Sequence, residues 1–354
     1  MTEKSNPDKN YSFVQKVWIV GGIFALIAVI LLLLKTTFNV LILLLAGVLI
    51  AIFFRGLSDF IEKKTGLNSV MSMVIAIVGT LLLVSGIIWL VGSEFQKQLS
   101  QLSDSLPSTY QNAKDYLNQS WLGQKVVEKF SEARTDKNLS GFFTRFFRTT
   151  FGVLGDIYVI LLVGVYLTAS PYLYTNGIKK LVPPKGRGKA DDVLSHLGYG
   201  LKQWLTGKIF AMFVIFVLTA IGLKIIGMPM WLALAIIAGF LNFIPNFGPI
   251  LAMAPALLVA LSQDPQTAFI VAGIYIFIQL LESNLITPKV QQHLIKIPPA
   301  LIITSQVIVA TFAGLWGIIL ATPIILIVIL LVQDLYVKPQ EEKNNPTVPP
   351  QDHK

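Results

Sequence analysis

Long apolar runs separated by short polar segments dominate the chain. Residues 17–54 carry one charge, Lys35, with Thr36 and Asn39 beside it. Because about 20 apolar residues cross the hydrocarbon core of a bilayer, this run predicts two spans, 17–34 and 38–54, joined by a tight turn. Residues 65–93 are uncharged and predict a third span, completing transmembrane helices 1–3 over 17–93. Residues 149–170 predict a fourth with Asp156 near its outer end, 209–227 a fifth, and 267–286 another with Glu282 near its end. The runs 229–262 and 298–333 are also uncharged. Each is too long for one simple span and short for two.

The polar segments have patterns of their own. In 94–148, Leu99, Leu102, Leu106, Tyr110, Ala113 and Leu117 recur at helical spacing, with Pro107 as an expected break. Phe142, Phe143, Phe146 and Phe147 alternate with Arg145 and Arg148 where that stretch re-enters the membrane. It is read as an amphipathic helical cap on the bilayer or on a neighbouring subunit. In the basic linker 171–208, Val193, Leu194, Leu197, Leu201, Trp204 and Leu205 share one face of an interfacial helix that leads into the fifth span. His196 belongs to that helix and is expected at headgroup level. The tail 337–354, with Pro339, Pro346, Pro349 and Pro350, is expected to be disordered.

The two long runs are broken at their centres. Residues 242–249 read Asn242-Phe-Ile-Pro245-Asn246-Phe-Gly248-Pro249, and two prolines with a glycine cannot continue a helix. The freed backbone groups must face protein or a water-filled cavity, since lipid offers them no partner. The second run carries Gly314-Leu-Trp316-Gly317 and then Pro323. Re-entrant hairpins and pairs of tilted short spans both fit. Each broken run follows one span, and those two spans point in opposite directions. Residues 209–336 therefore look like a transport core of two span-plus-hairpin units of inverted topology, the arrangement that points to a transporter's binding site.

Composition narrows the function. Apolar residues make up 54% and charged residues 13% of the 354 residues, where a soluble domain carries about 25% charged residues. This excludes an ordinary soluble enzyme and a nucleic-acid-binding domain, and defines an all-α polytopic membrane protein with about eight transmembrane segments. There are no cysteines, and the three histidines, His196, His293 and His353, lie far apart. Disulfides, thiolate catalysis and Cys-based metal sites are thereby excluded, and no cofactor is expected. The net charge of +9 comes from basic residues in short loops. Lysine and arginine mark the cytoplasmic side, placing the N-terminus (1–16) and the tail inside and 94–148 outside. The first run is read as a retained helix rather than a cleaved signal, because no small-residue cleavage site follows it.

Polar residues within the second half are few. Gln279 and Glu282 share a helix face, with Asn284 close by. An acidic residue within a span points to a proton or cation carrier, or a substrate anchor; the alternative is an interfacial glutamate paired with Lys289 or a backbone amide. Asn242 and Asn246 beside the first break are candidates for the solute. The candidate substrate-binding set is Asn242, Pro245, Asn246, Gly248, Pro249, Gln279, Asn284, Gly314 and Gly317, with Glu282 for ion coupling and no metal ligands.

Several of these segments together carry a resemblance: Asn242-Phe-Ile-Pro245-Asn246-Phe-Gly248-Pro249, Pro255-Ala-Leu-Leu, Gln279-x-x-Glu282-x-Asn284-x-x-x-Pro288, Pro299, Gly314-x-x-Gly317-x-x-x-Ala321-x-Pro323, and upstream Gly200-Leu-Lys-Gln-Trp-Leu-Thr-Gly207. Over roughly 195–335 the chain resembles the autoinducer-2 exporter family of bacterial membrane proteins. The resemblance implies efflux of small polar solutes, including the signal autoinducer-2, and homo-oligomers, with pentamers suggested. Some relatives are described as sodium(lithium)/proton antiporters. The expected function is a secondary transporter of the bacterial inner membrane, coupled to a proton or sodium gradient. The alternatives are a Na+(Li+)/H+ antiporter or an oligomeric channel. Membrane lipids are expected partners and nucleic acid is not. The absence of a Walker A motif argues against ATP-driven pumping by this chain alone, and no residues pair as an intramembrane protease requires.

Overall fold

The computed structural model describes residues 13–118, 155–261, 263–286, 288 and 297–344. Among them the secondary structure is helical throughout. Helix α1 spans Phe13–Thr65 and α2 spans Ser69–Asn118. They are joined by Gly66, which ends α1 in the left-handed region at φ 71°, where glycine meets no Cβ penalty. Asn68 then caps α2, its Oδ1 accepting from the Met71 N–H at 2.8 Å.

The two spans expected at 17–34 and 38–54 are thus one helix of 53 residues, about 80 Å long at 1.5 Å per residue. The sequence Lys35-Thr-Thr-Phe-Asn39 interrupts the hydropathy but contains no glycine or proline, so nothing in it stops backbone hydrogen bonding. Similarly, α2 runs through Pro107 without a break. The phenylalanine and arginine residues expected to lead back into the membrane at 142–148 lie outside the described residues.

Helix α3, Gly155–Ala169, turns through 89° into α4, Pro171–Leu181. Pro171 at the head of α4 disfavours a helical Ser170, which has φ −139° and ψ 61°. Helix α5, Arg187–Ile225, fuses the expected interfacial helix and the fifth span into one element of 39 residues. Between 205 and 209 there is again no residue that breaks a helix strongly, and Leu201, Trp204 and Leu205 are buried against the protein.

Helices α6, Trp231–Leu241, and α7, Phe247–Leu261, have 11 and 15 residues. At 1.5 Å per residue each falls short of a 30 Å hydrocarbon core. The break between them, with Asn246 at φ 66°, folds the chain back so tightly that a Cβ on Gly248 would lie 1.9 Å from the Leu241 carbonyl oxygen. This is a helical hairpin. Helix α8 spans Pro265–Leu281, its start capped by Asp264, whose carboxylate accepts from the Thr267 N–H and hydroxyl, each at 2.7 Å. Those bonds, the Thr267 hydroxyl first, hold the Asp264 carboxyl below its ordinary range. A π-turn, Glu282–Ile286, follows.

Helix α9, Pro299–Val332, is also a hairpin. Gly314 adopts φ 54° and ψ −129°, and a Cβ on Gly317 would lie 2.4 Å from the Val309 carbonyl oxygen. In a straight helix those two residues would be about 12 Å apart. A π-turn, Gln333–Val337, leads into α10, Lys338–Asn344, so the described part of the expected disordered tail is helical.

Among the described residues, five helical stretches, the second hairpin counted as one, are long and apolar enough to cross a membrane, or six if the bent α3–α4 pair counts as one span. The expected number of about eight is not reached by single helices, because the two long runs of the second half became hairpins and the first became one helix. The chain is an all-α polytopic membrane protein. One core packs α5, α6, α7 and α8 around Leu223, Leu234, Ala256 and Val271. The other packs α1, α3, the first half of α5 and α9 around Leu49, Ile160, Leu326 and Leu330. Glycines bring α1 and α3 together: a Cβ on Gly47 would meet Val163 at 2.5 Å, and one on Gly164 would meet Ile50 at 2.6 Å.

Candidate functional site

The hairpins enter from opposite ends of the bundle. The first starts where α5 finishes, and its break reaches back to the middle of α5, where Phe243 packs against Trp204 with ring centroids 5.8 Å apart. The second starts at the other end of α8. Its tip reaches the beginning of α3, where the Trp316 indole N–H donates to Asp156 Oδ2 at 2.7 Å. Asp156, expected near the outer end of its span, is half-buried and bonded because the hairpin folds back onto it. Its second limb returns to the start of α5, where Leu330 fills the space above Gly200.

The break of the first hairpin lies against α5 and α8. Asn242, Pro249, Gln279 and Glu282 line one small cavity of about 20 Å3 together with Thr219 and Tyr275. Glu282 is the one buried charged residue among those described. Asn242 and Gln279 point at its carboxyl from two sides, and Lys208 faces it from α5 without a direct ion pair. Neither amide closes a direct bond to the carboxyl; Gln279 Nε2 donates to Ser283 Oγ at 3.4 Å. Asn242 Nδ2, Glu282 Oε2 and Tyr275 Oη are all buried without a partner. A donor, an acceptor and a hydroxyl therefore converge unsatisfied on one cavity, which is costly unless a polar species engages them.

The other residues singled out in the sequence lie elsewhere. Asn284 is exposed and donates to the Leu280 carbonyl at 2.8 Å within its own turn. Asn246 is exposed, and Gly248 closes the first hairpin. Gly314 and Gly317 shape the second hairpin, away from the cavity. The Pro245 carbonyl accepts from Gln306 Nε2 at 2.9 Å, and Asn246 Nδ2 lies 3.5 Å from Gln306 Oε1. Gln306, only 1% exposed, sits midway along the first limb of the second hairpin. It joins the two hairpins, and the sequence reading did not select it. Neither did that reading select Lys208, Thr219 or Tyr275. The polar triplet Thr304-Ser305-Gln306 on an apolar limb was the available signal for Gln306. His196 bonds through Nδ1 to Asp334 Oδ2 at 2.7 Å, with Lys338 on the other carboxylate oxygen at 2.8 Å. Among the described residues, no group of His, Asp or Glu could hold a metal ion.

Two hairpins entering from opposite ends and a charged cavity at one break make a transport architecture, and the comparisons agree. The AI-2E family transporter model matches residues 23–336. The chain belongs to the AI-2E transporter family. YueF of Bacillus subtilis, named as a transport protein, is 24% identical over 302 residues, covering 80% of this chain and 81% of that one. YrrI of the same organism, also named as a transport protein, is 27% identical over 158 residues, 45% of each chain. PerM of Escherichia coli K12, named as a permease, is 26% identical over 183 residues, 48% of this chain and 52% of that one. As an AI-2E family transporter with several apolar helices, the chain is a multi-pass membrane protein whose role is membrane transport.

Proposed function

We propose that this chain is a secondary transporter that exports a small polar solute of the autoinducer-2 class across the bacterial inner membrane by alternating access. Its termini lie in the cytoplasm. The two opposed hairpins form the mobile core, and Glu282 couples efflux to a proton or sodium gradient. The observation that carries this reading is the convergence of Asn242 Nδ2, Tyr275 Oη and Glu282 Oε2, all buried and unpartnered, on the cavity at the first break. A span carboxylate that can bind a cation on one side and release it on the other is the simplest coupling device.

A second reading, Na+(Li+)/H+ antiport, is favoured by the size of the cavity. About 20 Å3 accommodates one water-sized species, which suits a cation better than an organic solute in this conformation. Purified protein in proteoliposomes separates the readings. Solute efflux that needs an ion gradient in the wild type, and loses that need in Glu282→Gln while solute exchange persists, supports the first. Sodium-for-proton exchange with no solute present, abolished in Glu282→Gln, supports the second. Linear, unsaturable flux would assign a channel. The apolar outer face of α2, where Leu82, Leu83, Ile88 and Trp89 stand exposed, is the surface for a homo-oligomer in either case.

A further inference from the structure

The elbow between α3 and α5 has a chemistry that transport does not use. Helix α4 leaves α3 at 89°. If α3 crosses the membrane, α4 lies in the plane of its surface. None of the residues of α4 is buried. Thr175 and Lys179 turn toward the protein, and Lys179 pairs with Asp191 of α5. Round the helix from them, Tyr174, Ile178 and Leu181 form an exposed apolar face, 40%, 49% and 85% exposed. Lys180, Lys185, Arg187 and Lys189 stand exposed alongside it. Asp191 is occupied by Lys179, which leaves Asp192 as the one acidic side chain on the elbow to offset them.

We propose that this elbow is a binding site for anionic phospholipid. The apolar face needs hydrocarbon, and the four bases on the same elbow need anions. The edge of an anionic leaflet supplies both together, and helices of this composition lie in such interfaces. A soluble phosphate satisfies the bases alone and leaves Tyr174, Ile178 and Leu181 in water. A protein partner would need an acidic rim around an apolar patch, and the bend at the end of a span places the membrane surface there first. The site is independent of which solute or ion is carried.

The native chain has no cysteine, so the full-length protein with Leu181→Cys, labelled with a bimane fluorophore, reports this face alone. It is reconstituted in phosphatidylcholine vesicles doped with either brominated phosphatidylglycerol or brominated phosphatidylcholine. The expected result is at least about twofold stronger quenching by the brominated anionic lipid, reduced by added salt. Combining Lys180→Gln, Lys185→Gln and Lys189→Gln should make the two lipids quench equally. If that triple variant does not fold, Lys180→Glu alone should weaken the preference. Equal quenching of the parent by both lipids overturns headgroup selectivity. No quenching by either lipid puts the face against protein and overturns the site. Loss of the preference on adding soluble glycerol phosphate shows a free-phosphate site and overturns the lipid assignment.

Discussion

Gln306 offers the sharpest test of how the hairpins hold each other. Gln306→Leu keeps nearly the same volume and removes the 2.9 Å bond to the Pro245 carbonyl, together with the long contact to Asn246. A hydrogen bond of this kind contributes about 1 kcal/mol net, and leaving its partner dry costs about 1–3 kcal/mol. Pro245 is half-buried, so water satisfies part of its carbonyl and about 1–2 kcal/mol is expected. The 3.5 Å contact to the exposed Asn246 adds little, and Asn246→Gly, which suits the backbone at φ 66°, should fall within about 0.5 kcal/mol of wild type. A loss of 1–2 kcal/mol raises the population of the undocked hairpin roughly 5–30-fold. Ile244, 7% exposed beneath the tip, reports that population. Ile244→Cys in membranes should react with a thiol reagent faster by that factor in the Gln306→Leu background, where opening is faster than labelling. A labelling rate within about twofold of the parent, with unchanged thermal stability, would show that Gln306 does not hold the tip.

Four other outcomes follow from the same geometry. Asn242→Leu should abolish flux while the protein remains membrane-inserted at wild-type levels, and full flux would remove the cavity from the transport path. Gly248→Ala should destabilise the protein by about 1–3 kcal/mol or more, since its Cβ would sit 1.9 Å from a backbone oxygen that no rotamer change relieves; Gly79→Ala, with nothing within 4 Å, should not, and equal thermal melts for the two would refute the hairpin geometry. Lys208→Gln removes the cation facing Glu282, so the cation concentration for half-maximal flux should fall, and a rise would make Lys208 a structural residue. Trp316→Phe should free the tip of the second hairpin from Asp156 and speed labelling of a cysteine at Leu315, whereas an unchanged rate would show that the indole bond does not hold it.

Some of this was legible in the chain and some was not, for physical reasons. The first break could be read because Pro245 and Pro249, four residues apart, remove two backbone donors from the same turn. Whether the broken runs folded back or crossed as short spans could not be read, since that depends on Gly248 and Gly317 packing onto distant carbonyls. Hydropathy misled at Lys35–Asn39, where one charge in an apolar run looked like a turn although a helix carries a lysine without breaking. The interfacial helix expected to lead into the fifth span does so without a break, as one helix. Residue type located Asn242, Gln279 and Glu282, yet their meeting in one cavity depends on α5, α6 and α8 packing together. Lys208 counted as a loop lysine in the sequence, and only the fold turns it toward Glu282.

The arrangement of the anchors fits the proposed alternating access, in which two hairpins serve one site. The first tip is held by Gln306 and by packing on Trp204, at the end of the bundle where Glu282 lies. The second tip is held by the Trp316–Asp156 bond at the other end. Gln306 belongs to the limb that leads to that second tip, so displacing the second hairpin pulls on the first through a single side chain. Each restraint is worth about a hydrogen bond or two, small enough to be broken by the differential binding of a solute or cation. In the proposed function the Glu282 carboxylate at the first break senses the cation, and the two tips lie at opposite ends of the bundle. Opening one end can therefore be coupled to closing the other without moving α1 and α3, which are locked together by the close packing of Gly47 and Gly164.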